Sequence, residues 1–266
     1  MSVRPGTIAA ANRVPTETTA GSPIYADFVP TYDATTVALL KRAGAIIMGK
    51  TVTTEFACTD PPPTRNPWHQ AHTPGGSSSG SAVGVAACIF PAALGSQTAG
   101  SVLRPAAYNG VVGLKPTFGR ISTYGVMPVA SSLDTVGFFT RTVTDAAIVL
   151  EALAGHDPKD NSSAPRAVPN YRKGLVSYQS PPRIGLARQF FYEQADPEMR
   201  THMEDVVRQL STAGASVQEV IFTADFDALL AAHQDIMAAE AASVHEATFN
   251  TRSDDYSPKV RSIIEA

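Results

Sequence analysis

The chain has 266 residues, of which 44% are hydrophobic and 17% charged, a composition that fits a globular core and excludes collagen, coiled coil and polar disorder. Its 21 Lys and Arg against 24 Asp and Glu leave a net charge of -3, so no basic field is available to hold nucleic acid or an anionic membrane. Two cysteines, Cys58 and Cys88, without a C-x-x-C or a paired-His spacing, signal neither a disulfide framework nor a metal site, and both read as small buried hydrophobes. The N-terminus has no apolar run and no window approaches the ~20 apolar residues of a bilayer span, which places the protein in the cytoplasm.

Asp33 is positioned to cap a helix running through Lys41 and Arg42, with Gly44 as its stop. Ala45 to Gly49 then reads as a buried strand. From Cys58 to Gly80 the chain is rich in Pro, Thr, Ser and Gly, long for a loop within a domain and therefore a candidate functional segment. Small residues from Ser81 to Cys88 predict a helix that packs closely against a neighbour, ended by Pro91 and followed by a buried strand over Ala92 to Thr98. Thr142 and Asp145 form a capping-box pattern for a helix of about Val143 to Ala154, with Gly155 beyond it. Pro165 to Pro182 reads as polar turns, Arg183 to Ala187 as a short strand, and Asp196-Pro197 as the start of a helix that Gly214 stops. Val217 to Phe222 is a further strand, and Asp225 to Asn250 a final helix with no closing element after it. Strands alternating with helices predict an α/β layered fold.

Three motif readings compete for the glycine-rich segments. Gly44-Ala-Ile-Ile-Met-Gly49-Lys50-Thr51 satisfies the phosphate-cradle pattern, but a helix precedes its first glycine and its interior reads as a strand, the reverse of what a phosphate loop needs. Gly76-Ser77-Ser78-Ser79-Gly80 fits a nucleophile elbow centred on Ser78, with His156 or His245 as nominal bases; an elbow must follow a strand directly, and here a loop precedes it. The third reading pairs Ser77 with Ser101, which stands at a strand-to-helix turn, Gln97-Thr98-Ala99-Gly100-Ser101. Successive amides at such a turn point one way and share the positive end of the helix dipole, so they can hold an oxyanion while an adjacent hydroxyl attacks. The alternative is a tight turn in which Ser101 caps the helix containing Pro105.

The tracts Gly75-Gly-Ser-Ser-Ser-Gly-Ser, Leu94-Gly-Ser-Gln-Thr-Ala-Gly-Ser-Val-Leu-Arg-Pro-Ala-Ala and Gly110-Val-Val-Gly-Leu-Lys-Pro-Thr-Phe-Gly-Arg resemble the amidase signature family of serine hydrolases. Thr18 to Pro23, the segment from Gly49 to Phe56, Ser132 to Gly137 and Ala154 to Pro158 extend the likeness. It implies a three-layer α/β/α fold with a central mixed sheet, incomplete in this chain, as a single domain over 1–266. It also implies hydrolysis of the acyl C-N bond of a small carboxamide by water through a serine acyl-enzyme, with no metal or organic cofactor. Carried over by position, Ser101 is the nucleophile and Ser77 the relay, reached through a cis Gly76-Ser77 peptide. The amides of Thr98, Ala99, Gly100 and Ser101 are the oxyanion hole.

The family's basic Lys falls about where Gly6 to Ala11 stand, and the first lysine of the chain is Lys41. Arg4 and Arg13 are poor substitutes because a guanidinium stays protonated. Loss of a triad member leaves a rate on the order of thousands of times below the intact enzyme. Two functions therefore follow from the sequence: an amidase whose N-terminal Lys-bearing segment and C-terminal elements are missing, or a non-catalytic homologue that binds a ligand or partner. Gln97 and Leu103 stand where transamidating members carry Asp and Arg, an exchange that resembles the stand-alone hydrolase branch. If part of the sheet and its cover is missing, apolar surface on Ala45 to Gly49 and the last helix is expected to be exposed.

Overall fold

The computed structural model describes residues 17–58, 62–177 and 180–266. They gather into two compact units, one formed by the chain up to Arg172 together with Ile236–Ala266, the other by Lys173–Asp235.

The first unit is organised about strand β3 (Thr135–Thr140), in which all six residues are buried. Antiparallel neighbours flank it, β1 (Ala92–Gln97) on one side and β2 (Val112–Leu114) on the other. Because strand side chains alternate between faces, Val136 and Phe138 pack toward Ala146, Leu150 and Leu153 of helix α4 (Val143–Leu153), with Leu39 and Leu40 of α1 (Thr35–Arg42) beside them. Phe139 lies on the opposite face among Ala82 and Val85 of α2 (Ser79–Ala86) and Val102 and Ala106 at the start of α3 (Leu103–Asn109). Helix, sheet and helix thus form three layers.

The α2/α3 face of the sheet carries a cross-strand pair of glycines, Gly95 opposite Gly137. A Cβ on Gly95 would stand 2.7 Å from Ser78 Oγ, and one on Gly137 would stand 2.4 Å from the Leu114 carbonyl. The missing side chains let the N-termini of α2 and α3 sit directly on the sheet. Ser81 Oγ donates to the Leu94 carbonyl at 2.7 Å, so the small-residue helix does pack closely against a neighbour. Toward the C-terminus, Ala241 of α8 (Phe226–Arg252) and Val260 of α9 (Pro258–Ile264) join Phe56, Cys58, Val129 and Tyr256 in a separate cluster.

The second unit pairs β4 (Arg183–Leu186) in parallel with β5 (Ser216–Glu219). The crossover carries α6 (Phe191–Gln194) and α7 (Pro197–Thr212). Asp196 caps α7 by accepting from Met199 N at 2.7 Å, and Gly214 beyond its end has φ +96°, as the Asp-Pro start and Gly stop predict. The N-cap half of the box read at α4 is present, with Thr142 Oγ1 accepting from Asp145 N at 3.0 Å, while Asp145 Oδ2 accepts from the Thr142 hydroxyl rather than from its backbone N–H.

Several expectations are corrected. Ala45 to Gly49 is not a strand of the described residues; Ile46 is 86% and Met48 73% exposed, because no described strand supplies ladder partners. The apolar exposure anticipated there, and at Leu229 and Leu230 of α8, is present. Asp33 does not cap α1: Ala34 holds the cap position and Asp33 pairs with Lys41. Cys58 is buried but Cys88 is exposed, at φ +58° just past α2. The polar stretch after Pro165 contains helix α5 (Tyr171–Ser177), and α9 follows the helix read as final. Parallel and antiparallel pairings both occur, but in separate sheets among the described residues. No described helix is long and apolar enough to cross a membrane.

Gly137→Ala is expected to lower stability by about 1–3 kcal/mol, the cost of overpacking against a backbone carbonyl that cannot rotate away. Urea unfolding of this variant beside the parent would measure it, and an unchanged midpoint would refute the close-approach role.

Candidate active site

The Gly76-Ser77 peptide bond is cis, the geometry the resemblance implies. Both carbonyls flanking Ser77 are held from outside. Arg104 of α3 donates twice to the Gly76 carbonyl, from Nε at 3.1 Å and Nη2 at 2.8 Å. The Ser77 carbonyl accepts from Thr54 N at 3.1 Å, Thr53 Oγ1 at 3.1 Å and Ser79 N at 2.8 Å. Ser77 itself is 1% exposed, and its Oγ has no hydrogen-bond partner in the described structure. A buried hydroxyl of this kind is costly to leave unsatisfied, and these surrounding donors are committed to backbone carbonyls.

Ser78, the centre of the alternative elbow, is occupied structurally. Its Oγ lies 3.3 Å from both the Ser96 carbonyl, to which it donates, and the Ser96 N–H, from which it accepts. No strand among the described residues leads into it.

The second turn begins where β1 ends. Gln97 is buried, and its side chain folds forward over the turn: Oε1 accepts from Val102 N and Leu103 N, both at 2.9 Å, and Nε2 donates to the Ala99 carbonyl at 2.8 Å. Of the two N–H groups a capping Ser101 would engage, Leu103 N is taken by Gln97 and Arg104 N donates to the Gly100 carbonyl at 2.9 Å. Ser101 is accordingly not the cap of α3, whose cap position is Val102. Among the described residues the N–H groups of Ala99, Gly100 and Ser101 have no acceptor.

Thr98 Oγ1 donates to Asp134 Oδ1, and Asp134 Oδ2 accepts from Val129 N at 2.7 Å and Ala130 N at 3.1 Å. Burial pushes the Asp134 carboxyl above its ordinary value, against the pull of those three donors. The two serine turns meet directly, Ser78 N donating to the Ser101 carbonyl at 3.3 Å. Consecutive unengaged amides beside a serine hydroxyl form an arrangement that can stabilise an oxyanion, and a second buried hydroxyl, that of Ser77, stands on the adjoining turn.

The segment where the resemblance expects the Lys, Gly6 to Ala11, lies outside the described residues. Lys50 does not take its place. The chain from Lys50 to Thr54 runs along α2 so that Thr53 and Thr54 meet Ser77 while Thr51 meets Ser81. At about 3.3 Å per extended residue, Lys50 falls beyond the end of that run remote from Ser77, and its Nζ donates to Thr18 Oγ1 and, at 3.5 Å, to the Glu17 carbonyl. Burial lowers its ammonium below the ordinary value.

The nominal histidines are engaged as well. His156 Nδ1 lies 3.2 Å from the Ser163 carbonyl, and His245 Nδ1 lies 3.1 Å from Tyr256 Oη, packed edge-on to Phe56. Of the two grounds against the phosphate-cradle reading, the preceding helix holds, since α1 runs up to it, while the strand between its glycines does not form; no described α-helix follows directly. Sequence reading leaves Arg104, Gln97 and Asp134 without their holding roles. The one signal available was that Gln97 departs from the family's acid.

A layered α/β fold with paired serine turns on one face of its sheet defines an amidase-type protein, and the sequence profile of the amidase family matches residues 14–266. The chain belongs to that family. Among curated relatives it is 46% identical over 209 residues to a glutamyl-tRNA(Gln) amidotransferase subunit of Gloeobacter violaceus, covering 76% of this chain and 43% of the relative. The corresponding subunit of Geobacter sp. strain M21 is 41% identical over 268 residues, covering 92% and 55%. Among solved structures, native peptide amidase from Stenotrophomonas maltophilia superposes with a TM-score of 0.78 at 37% identity, covering 94% of this chain and 53% of that one. A 6-aminohexanoate cyclic dimer hydrolase gives 0.86 at 27% identity, covering 98% and 58%. The chain thus spans about half the length of the proteins it matches.

Gln97→Ala strands the Val102 and Leu103 amides and is expected to cost about 2–4 kcal/mol, roughly 1–2 per unsatisfied donor, read by denaturant unfolding; a loss under about 0.5 kcal/mol would show that the bracket is dispensable. Stability should also depend on His245. Burial pushes its pKa down to about 4 from 6.5, so below pH 6.5 the unfolded chain takes up a proton the folded one refuses. Stability is therefore full above pH 6.5 and falls as pH drops toward 4. His245→Gln should flatten that limb of the stability–pH curve, and an unaltered slope would rule the histidine out.

Proposed function

We propose that the chain carries the serine half of an amidase centre, which cleaves the acyl C–N bond of a small carboxamide at Ser101. Ser101 Oγ attacks the carbonyl carbon and its proton passes to the Ser77 hydroxyl, which hands its own proton on to a base. The oxyanion is met by the amides of Ala99, Gly100 and Ser101, with Thr98 at the head of the same turn. The amine leaves with a proton, and water then hydrolyses the acyl-Ser101 ester. The observation that carries this reading is the row of three unengaged amides beside Ser101, whose hydroxyl is not spent on the helix because Gln97 caps α3 in its place.

Hydrolysis, with water as acyl acceptor, is favoured over transfer to ammonia by the residues at the turn: Gln97 and Leu103 replace the acid and base expected of a transamidating member, and the substitution removes both charges together. The curated relatives carry an amidotransferase name, whereas peptide amidase and cyclic dimer hydrolase appear among the solved structures.

A second reading rests on one fact, that no lysine precedes Lys41. In it, the same turns bind an acyl ligand without turning it over. A fluorophosphonate probe separates the two. Acyl transfer predicts covalent modification of Ser101, located by mass spectrometry, abolished in Ser101→Ala and slowed about a thousandfold in Ser77→Ala. Absence of label on the parent chain, with retained binding of the corresponding amide, would favour the non-catalytic reading.

A further inference from the structure

Upstream of the serine turns, residues 66–73 and the end of α3 enclose an open cleft of about 510 Å³, lined by Asn66, Trp68, His69, His72, Thr73 and Tyr108. This is the size of a small-molecule site, and it takes no part in the acyl-transfer reading.

Its walls are built rather than loose. The Asn66 side chain ties the loop to the helix, Nδ2 donating to the Tyr108 carbonyl at 3.0 Å and to the Thr73 carbonyl at 3.3 Å while Oδ1 accepts from Trp68 N at 2.9 Å. The Trp68 indole is locked by its Nε1 donating to the Asn109 carbonyl at 2.9 Å. Asn109, fully buried, in turn donates to the Pro74 and Pro105 carbonyls, both at 2.7 Å.

With its polar edge satisfied, Trp68 is nevertheless 71% exposed, and Tyr108 is 49% exposed. The Trp68 ring, held at the cleft's rim, offers flat apolar surface at little ordering cost on binding, and Tyr108 adds a second aromatic face. His69 and His72 stand edge to face with ring centroids 4.4 Å apart, and neither imidazole has a hydrogen-bonding partner among the described residues. They supply donors and acceptors beside the aromatic faces, and no acidic side chain lines the cleft among the described residues.

From these features we propose that the cleft is a binding site for a planar aromatic ring bearing a hydrogen-bonding substituent, the ring meeting Trp68 and Tyr108 and the substituent reaching His69 or His72. The inference is independent of chemistry at Ser101.

The test is direct because Trp68 is the single tryptophan of the chain, so emission excited at the red edge of tryptophan absorption reports on this cleft alone. Benzyl alcohol, planar and carrying one hydroxyl, is titrated beside its saturated counterpart cyclohexylmethanol. The proposal expects a saturable change with benzyl alcohol, half-complete on the order of millimolar to tens of millimolar as befits so small a ligand, and at least about fivefold weaker binding of cyclohexylmethanol. Tyr108→Ala and the surface variant His72→Ala, each checked for folding by circular dichroism, should each weaken benzyl alcohol several-fold while leaving Trp68 to report. A linear, unsaturable response, equal binding of the two alcohols, or unchanged affinity in both variants would overturn it.

Discussion

The Gln97 carboxamide stands where β1 gives way to α3, and the remainder of the site follows from what it satisfies. A helix start leaves backbone N–H groups without intrahelical partners, and the nearest small hydroxyl ordinarily takes one of them. Here Gln97 reaches past the turn and takes two, while its amide nitrogen closes the loop onto Ala99. Only a side chain that both donates and accepts can make all three bonds. A carboxylate at this position would accept from the helix but have nothing to donate to the Ala99 carbonyl. The consequence is local division of labour: the cap is supplied from outside the turn rather than by the Ser101 hydroxyl, beside the unengaged amides of Ala99 to Ser101.

A second constraint is closeness. Two serine-bearing turns can adjoin only if both helices approach the sheet without intervening side chains, and the facing pair Gly95 and Gly137 provides that approach. Close packing buries polar backbone, which must then find partners. Arg104 and the Thr53-Thr54 segment serve the carbonyls on either side of Ser77, and Ser78 brackets Ser96. Ser77 Oγ is among the buried side-chain atoms left without a partner in the described residues.

The C-terminal helices are coupled to this region by two carboxylates. Glu240 of α8 accepts from Ser132, whose loop is pinned through Asp134 to Thr98, and Glu55, next to Thr54, accepts from Ser257 N at 2.9 Å at the head of α9. Hydrogen bonds from Ser132 hold the Glu240 carboxyl below its ordinary value. Between these ties lies the aromatic cluster of Phe56, His245 and Tyr256, whose burial keeps the imidazole neutral. The helices therefore brace the loops behind both serine turns.

Local rules made much of this legible in the sequence. The helix cap at Thr142, the Asp196-Pro197 start, the strand after Pro91 and the serine turns follow from chemistry confined to a few neighbouring residues, and the glycine-rich tracts carry the family resemblance. The failures share one cause. Whether Ala45 to Gly49 becomes a strand depends on a ladder partner that its own residues do not specify, and whether Cys88 is buried depends on what covers the end of α2. Likewise Asp33 reads as a cap until Lys41 is seen to hold it. The roles of Gln97, Arg104 and Asp134 lie in bonds that cross from one segment to another. Sequence alone determined the family and the layered fold and singled out the two serines as candidates; only the tertiary structure decided which groups hold those serines and which amides stay unengaged, because hydrogen-bond satisfaction is settled by approach in space.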